Sequence, residues 1–406
     1  MRTRSTAPRA TQENRRARGA VTALFLTNGA LVANILPRYP EIKADLGLDN
    51  TMYGIAVAFM PIGAIVAGLL AGALIRRFGS GPVAVIGTIL TSIAVVTAGI
   101  APVVAVFMLA LFIGGGMDAI TDVAQNAHGM RVQRRYGRSI INSFHAAWSM
   151  GAVLGGGMAA GAIALHVPRG IHLAISGILF SVVALVALRF CLRGHDDERD
   201  LAESADDVTA PRRGVTVRMV MVLIALVIIA MAGTVVEDAG NSWAALSLTS
   251  IGAPSAIAAL GFIALVGAQF IGRLIGDRMV DRFGQRMVAR AGGVIVFVGM
   301  GLALAFPSVP GMIAGFAAAG LGVATLVPAA MHEADEMPGL KHGTGLTVVS
   351  WLMRLGFLLS PPIVGMIADA TSLRTGLMIV PAAGVLVIVA SGVLQKKRPV
   401  AEGAAT

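Results

Sequence analysis

Apolar runs of eighteen or more residues recur along the whole of this chain, and short charged gaps separate them. A helix needs a run of that length to cross a hydrocarbon layer roughly 30 Å thick. Composition agrees. Of the 406 residues 56% are hydrophobic and 13% charged, against roughly a quarter charged in soluble domains. The 50 glycines suit close helix packing in a bilayer. A single cysteine, Cys191, excludes an intramolecular disulfide and a cysteine-based metal cluster. The net charge of +10 does not point to nucleic acid, because the basic residues sit in the gaps between apolar runs and form no single face.

Windows of about 19–25 residues give twelve spans, at 20–38, 52–75, 82–100, 102–127, 142–164, 171–190, 217–237, 255–276, 288–305, 309–331, 343–368 and 375–394. The expected organisation is a basic cytoplasmic tail (1–19), a six-helix bundle (20–190), a cytoplasmic linker (191–216), a second bundle (217–394) and a cytoplasmic tail (395–406). The linker carries His195-Asp196-Asp197-Glu198-Arg199-Asp200 and Pro211-Arg212-Arg213. With the N-terminus in the cytoplasm, the outer gaps hold only Arg38, Lys43, Arg169 and Arg374 of the 32 Lys and Arg residues. Arg273 and Arg354 lie inside spans, and the rest fall at cytoplasmic ends and gaps. That asymmetry places both termini in the cytoplasm.

An internal repeat supports two matching halves. Arg76-Arg77-Phe78-Gly79 returns 205 residues later as Asp281-Arg282-Phe283-Gly284, again in a gap between spans, and Gly151 returns as Gly356. The second gap is fuller, with Asp277, Arg278, Asp281, Arg282, Gly284 and Arg286. Asp277 and Asp281 are one helical turn apart and can meet partners on one face. Gly284 suits a tight turn into the next span. Internal repeats are common in secondary transporters, which hold substrate between the halves.

The acid, arginine, glycine and final basic residue of that gap resemble the signature loop of the major facilitator superfamily. The resemblance covers the whole chain. It implies an all-α membrane fold of twelve transmembrane helices in two pseudo-symmetric six-helix bundles. It also implies a cytoplasmic charge latch at the loop, a central cavity, and spans 3, 6, 9 and 12 at the periphery. A narrower resemblance is to a bacterial branch with MosC-like and YbjJ-like members, which implies a place in the bacterial plasma (inner) membrane. Its features here are Asp122-Val123-Ala124-Gln125-Asn126-Ala127-His128-Gly129, then His145 with Trp148-Ser149 and Gly151, and Glu237, Asn241 and Trp243. Gly272-Arg273 and Pro361-Pro362 with Gly365 complete the match. The branch is distantly similar to sugar permeases such as the fucose–proton symporter, which implies a sugar-like or polyol-like solute. Arg354 departs from the branch, where an uncharged residue is usual.

A charge in the middle of a bilayer costs about 2.5–3.5 kcal/mol on insertion scales, so such residues face the protein interior and are functional candidates. Asp118, Asp122 and Asn126 follow an i, i+4, i+8 spacing and form one polar stripe, widened by Thr121 and Gln125. Two carboxylates one turn apart are candidates to exchange a proton, or Asp122 bonds polar neighbours such as His145. His145 is a candidate relay or a packing residue, and Trp148 and Ser149 are candidate sugar contacts. Glu237 is a proton acceptor from outside, or an outer-gate partner of Arg38. Asp238 reads as a solvated loop charge. Asn28 and Asn34 either line the cavity or bond neighbouring helices, and Asn241, Trp243 and Trp351 are cavity candidates. Arg354 either binds an anionic group or neutralises Asp118 or Asp122, the internal pair being favoured. Arg273 reads as mainly structural, on the gate side of span eight.

No phosphate loop is present, so ATP-driven pumping is not expected. His332, Glu333 and Asp335 read as solvated charges, and no metal or cofactor is expected. The expected function is secondary active transport of a small polar solute, sugar-like or an organic acid, by a proton-coupled monomer. Its partners are the bilayer, the solute and protons. An efflux carrier and a non-transporting receptor are the alternatives. Efflux is disfavoured because span five has Gly151, Gly155 and Gly156 without a following proline.

Overall fold

A computed structural model of the chain describes residues 12–136, 140–192, 194, 216–337 and 344–395. Among them are twelve helices long and apolar enough to cross a membrane. The first six are α1 (Gln12–Asp45), α2 (Asn50–Gly68), α3 (Ser80–Gly99), α4 (Val104–Tyr136), α5 (Ile141–Ala164) and α6 (Arg169–Leu188). The second six are α7 (Val217–Ser250), α8 (Ser255–Phe283), α9 (Gln285–Ala305), α10 (Val309–Asp335), α11 (Thr344–Ala370) and α12 (Leu373–Val393). No strand occurs among the described residues. Most of the expected linker and the outer parts of both tails lie outside them.

Several helices run past the limits read from hydropathy. α1 begins at Gln12, inside the stretch expected to be a tail, and its first turn docks on the end of α4. Asn14 donates to the Arg135 carbonyl (3.3 Å), and Arg135 lies 3.6 Å from Glu13. α7 continues from 237 to Ser250 and stops at Gly252, whose φ of 87° lets Gly252 and Ala253 N–H bond back to Thr249 and Leu248. The charged residues near 237 therefore lie inside a helix. α11 breaks between Leu352 and Arg354, and Thr234 Oγ1 of α7 donates to the Met353 carbonyl at the break (2.9 Å). Such bonds from neighbouring side chains are what make an interrupted helix tolerable in lipid.

The repeat is structural in detail. Gly79 and Gly284 have φ, ψ of 82°, 151° and 84°, 153°, a region open only to glycine. Each N–H closes the preceding helix, on Ile75 (2.8 Å) and Val280 (2.7 Å). Each preceding arginine stacks on its phenylalanine, at 5.3 Å in one half and 5.4 Å in the other. Gly115 lies on the Met60 carbonyl and Gly320 on that of Leu265; Gly151 lies near the Leu26 carbonyl and Gly356 near that of Met231. All of these pairs obey the same 205-residue offset. A Cβ at any of the four would collide with the opposing helix, so small residues let the backbones meet.

The termini share one face with the gaps after α2, α4, α8 and α10; the other face is called distal here. The helices that pack across the halves are α2 with α11, α5 with α8, and the end of α1 with α7 and α8. These contacts concentrate towards the distal side. Asp369 of α11 accepts from Asn50 N (3.1 Å), Asn50 Nδ2 (2.8 Å) and Thr51 N (2.7 Å), capping α2 from the opposite half. Tyr53 OH donates to the Ser242 carbonyl (2.6 Å), and its ring meets Trp243 edge-on at 5.0 Å. Among the described residues, the ends of α4 and α5 at the terminal face have no extensive packing on α10 or α11. The halves are thus sealed distally and parted at the terminal face.

Candidate functional site

At a rise of 1.5 Å per residue, Asp118, Asp122, His145, Ser149, Glu237, Arg273 and Arg354 all lie about 20–28 Å from the distal ends of their helices. One polar layer near mid-depth therefore contains them. Asp122 and His145 are exposed although they lie deep in the bundle. Arg354 and His145 both act electrostatically on Asp122, and Arg273 acts on His145. Charges from opposite halves feel each other there, so these exposed side chains face the gap between the halves.

Asn28 organises the first half of the layer. Its Nδ2 donates to Asp118 Oδ1 (2.7 Å), while its Oδ1 accepts from Trp148 Nε1 (2.9 Å) and, more loosely, Gln125 Nε2 (3.4 Å). One amide thereby joins α1, α4 and α5. Asn126 Nδ2 donates to Asp122 Oδ1 (3.1 Å) and to its carbonyl (2.8 Å), as the i, i+4 spacing requires. His145 meets Phe25 edge-on at 5.2 Å, so it packs at one side and faces the gap at the other.

The second half is built on Glu237, whose Oε2 accepts from Gln269 Nε2 (2.8 Å) and lies 4.0 Å from Arg273 Nη2. Arg273 also reaches Ser149 Oγ across the halves (3.5 Å). Gln269 was not singled out from sequence. Its signal is the i, i+4 spacing to Arg273 on α8. Arg354 makes no hydrogen bond or ion pair among the described residues, and Trp351, one turn away, is exposed.

Several expectations need correction. Arg38 does not meet Glu237. It is bound by Glu41 (2.7 Å) and the Val167 carbonyl (2.9 Å) at the distal rim, while Glu237 lies at mid-depth on a helix longer than hydropathy implied. Arg273 sits in the polar layer and bridges toward α5. Arg354 makes no direct ion pair with Asp118 or Asp122, although its charge acts on Asp122 across the gap. Asn34 is buried and holds helices together, accepting from Ser176 (3.1 Å) and lying 2.8 Å from His172 Nε2. Trp243 is wholly buried in the distal seam, not in a cavity. Asp238 is buried too, because adjacent residues on a helix point about 100° apart. Asn241 is half-buried.

In the signature loop, Asp277 and Asp281 are exposed and make no ion pair among the described residues. Arg286 instead caps the end of α12, through Nε on the Leu394 carbonyl (3.0 Å) and Nη2 on that of Gly392. A latch across the halves is not made while the terminal face is parted.

Comparison with known proteins agrees with this architecture. The sequence model of the Major Facilitator Superfamily matches residues 21–268 and again 221–405. An uncharacterized transporter of Sinorhizobium fredii, y4wD, is 27% identical over 381 residues, 93% of this chain and 97% of its own. Membrane protein MosC of Rhizobium meliloti is 30% identical over 380 residues, 93% and 90% of the two chains. Among solved structures, a D-xylose-proton symporter superposes with a TM-score of 0.70 at 16% identity, covering 95% of this chain and 98% of its own. The nucleoside transporter NupG gives 0.69 at 12% identity, covering 94% and 99%.

Proposed function

The chain belongs to the Major Facilitator Superfamily, and from that membership we propose a proton-coupled carrier of a small polar solute. The solute is sugar-like, polyol-like or an organic acid. The carrying observation is the mid-depth layer in which Asp118, Asp122 and Glu237 face or border the gap between the halves. Carboxylates placed there can exchange protons with whichever side is open. Trp148, Asn126, Ser149 and Arg354 border the same gap and offer an indole face, an amide, a hydroxyl and an uncommitted guanidinium. That set suits a hydroxylated ring, and Arg354 adds a contact for a carboxylate. The similarity to a D-xylose-proton symporter and a nucleoside transporter supports a hydroxylated solute.

The protein works as a monomer in the bacterial plasma membrane with both termini in the cytoplasm. The distribution of Lys and Arg supports that orientation, and the state described above then opens inward. Transport proceeds by rocking one half against the other around the polar layer. Uptake into proteoliposomes under an imposed pH gradient tests the reading, with a panel of sugars, polyols and organic acids as solutes. Asp122→Asn and Glu237→Gln are expected to lose the pH dependence of uptake; unchanged dependence in both would sink proton coupling. Arg354→Ala is expected to abolish binding if the solute is acidic and to weaken it otherwise.

A further inference from the structure

The distal seam contains a carboxyl that the polar layer does not use. Asp238 lies on α7 beside Glu237, yet it faces the other way, into the contact between the halves. Its residue exposure is 7%. Ser242 Oγ donates to Oδ1 at 3.3 Å, and Oδ2 has no hydrogen-bond partner. Around it the seam is built from both halves: Tyr39 from the end of α1, Tyr53 from α2 and Ser360 from α11. Tyr39 and Tyr53 are buried, at 1% and 0% exposure, and Asp238 acts electrostatically on both. Ser360 acts on the carboxyl, but neither Ser360 Oγ nor Tyr39 OH completes a hydrogen bond. Three unfilled polar groups thus meet in one dry seam.

Among the described residues, no basic side chain offsets this carboxyl. Of the charged groups on the elements packed against it, Arg38 is held by Glu41 and Val167, and Arg273 faces Glu237. Asp369 caps α2, Arg354 acts on Asp122, and Arg374 of α12 bonds the Ala305 carbonyl (3.0 Å). Lys43 on α1 bonds the Leu48 carbonyl (2.7 Å). His332, Glu333 and Asp335 end α10 at the opposite face. Glu237, the acidic neighbour, adds repulsion. A carboxylate sealed from water without a cation is costly, while a carboxylic acid is not.

We propose that Asp238 is a proton-binding site of the transport cycle, loaded as the distal seam closes over it. The step is simple in balance: the carboxylate takes one proton from distal-side solvent, and no other bond changes. When α1 and α2 leave α7, water reaches the carboxyl and the proton returns to that side. The closed seam binds one proton more than the open one. Low pH therefore favours closure, and high pH favours opening by up to about tenfold in the ratio per pH unit. The inference rests on the alternating access of the family and not on the roles given to Asp118, Asp122 or Glu237.

Spin labels at Ala44→Cys and Ser250→Cys, on a Cys191→Ser background in nanodiscs, report the distal separation between pH 5 and pH 9. The native carboxyl is expected to give a population of long distances that grows with pH. Asp238→Asn is expected to stay closed throughout, and Glu336→Gln, at the terminal face, to keep the native response. A distal distance insensitive to pH in the native protein, or an unaltered response in Asp238→Asn, overturns the proposal. Loss of the response in Asp122→Asn alone would reject Asp238 while leaving the central coupling reading intact. Should Asp238→Asn not fold, Asp238→Glu must move the midpoint of the transition; an unmoved midpoint is equally fatal.

Discussion

The distal seam makes a sharp prediction through Gly54 and Gly365. In the closed state a Cβ at Gly54 would collide with the backbone of Pro361 and Pro362, and one at Gly365 with the backbone of Asn50 and Thr51. Backbone atoms retreat only if a whole helix retreats, so Gly54→Ala must push α2 and α11 apart. Overpacking of this kind costs about 1–3 kcal/mol. The cost falls on the closed seam alone, because the open state has no partner helix at that point. The closed-to-open ratio should drop by about 5- to 150-fold. Alanine is the better helix former by about 1 kcal/mol in either state, so the variant should fold well. The distal spin-label pair measures the shift directly, and solute uptake should fall with it. Gly161→Ala, with open space around it, is the silent control. Gly54→Ala combined with Gly365→Ala should be less than additive, since a second methyl meets nothing once the seam is open. Unchanged distal distances in Gly54→Ala would refute the identification of this seam as the closed gate.

Three further outcomes are expected. Asn28→Ala removes bonds to Asp118, Trp148 and Gln125; at about 0.6 kcal/mol for an average interhelical bond in a membrane, the loss is roughly 1–2 kcal/mol. Thermal unfolding in detergent checks it, and a neutral result would mean that this amide does not hold α1, α4 and α5 together. Gly284→Ala forces an L side chain into a glycine-only region and should destabilise by about 1–3 kcal/mol in the same assay, with Gly79→Ala behaving alike. Burial pushes the Cys191 thiol up to about 11, so at pH 8 roughly one in a thousand is thiolate. Maleimide labelling should be slow at pH 8, faster toward pH 10, and immediate after denaturation; rapid labelling of native protein at pH 8 would contradict the burial.

The parts of this molecule that were legible in sequence are those set by single, local rules. Span number follows from run length, and the loop turns follow from Gly79 and Gly284. The Asp118, Asp122 and Asn126 stripe follows from helical spacing. What escaped depends on which neighbour a side chain meets. A hydropathy window ends at Glu237 because charge lowers its mean, yet the helix continues, and the same window cannot tell that Glu237 and Asp238 face different partners. Glu237 turns to Gln269 and Arg273, while Asp238 turns to a seam formed by helices of both halves. Asn34 is ambiguous in sequence and Trp243 misplaced for the same reason, since a polar or aromatic residue in a span can line a cavity or bind another helix.

The repeat sharpens this division. The 205-residue offset places Gly54 at Ala259 and Pro361 at Gly156, so the α2–α11 seam and the α5–α8 seam are the same helix pair used twice. In the first, Gly54 meets the Pro361 backbone; in the second, Gly156 meets the side chains of Phe262 and Ile263. Shared apolar positions thus set where the halves touch. The polar residues at the two seams are not shared: Asp369 and Asp238 lie at one, and Ser149 with Arg273 at the other. A contact between small or apolar residues is indifferent to pH and to solute, whereas a buried carboxyl or an arginine bridge is not. The departures from symmetry are therefore where the proposed proton and solute contacts lie, and the symmetric remainder sets where the halves touch.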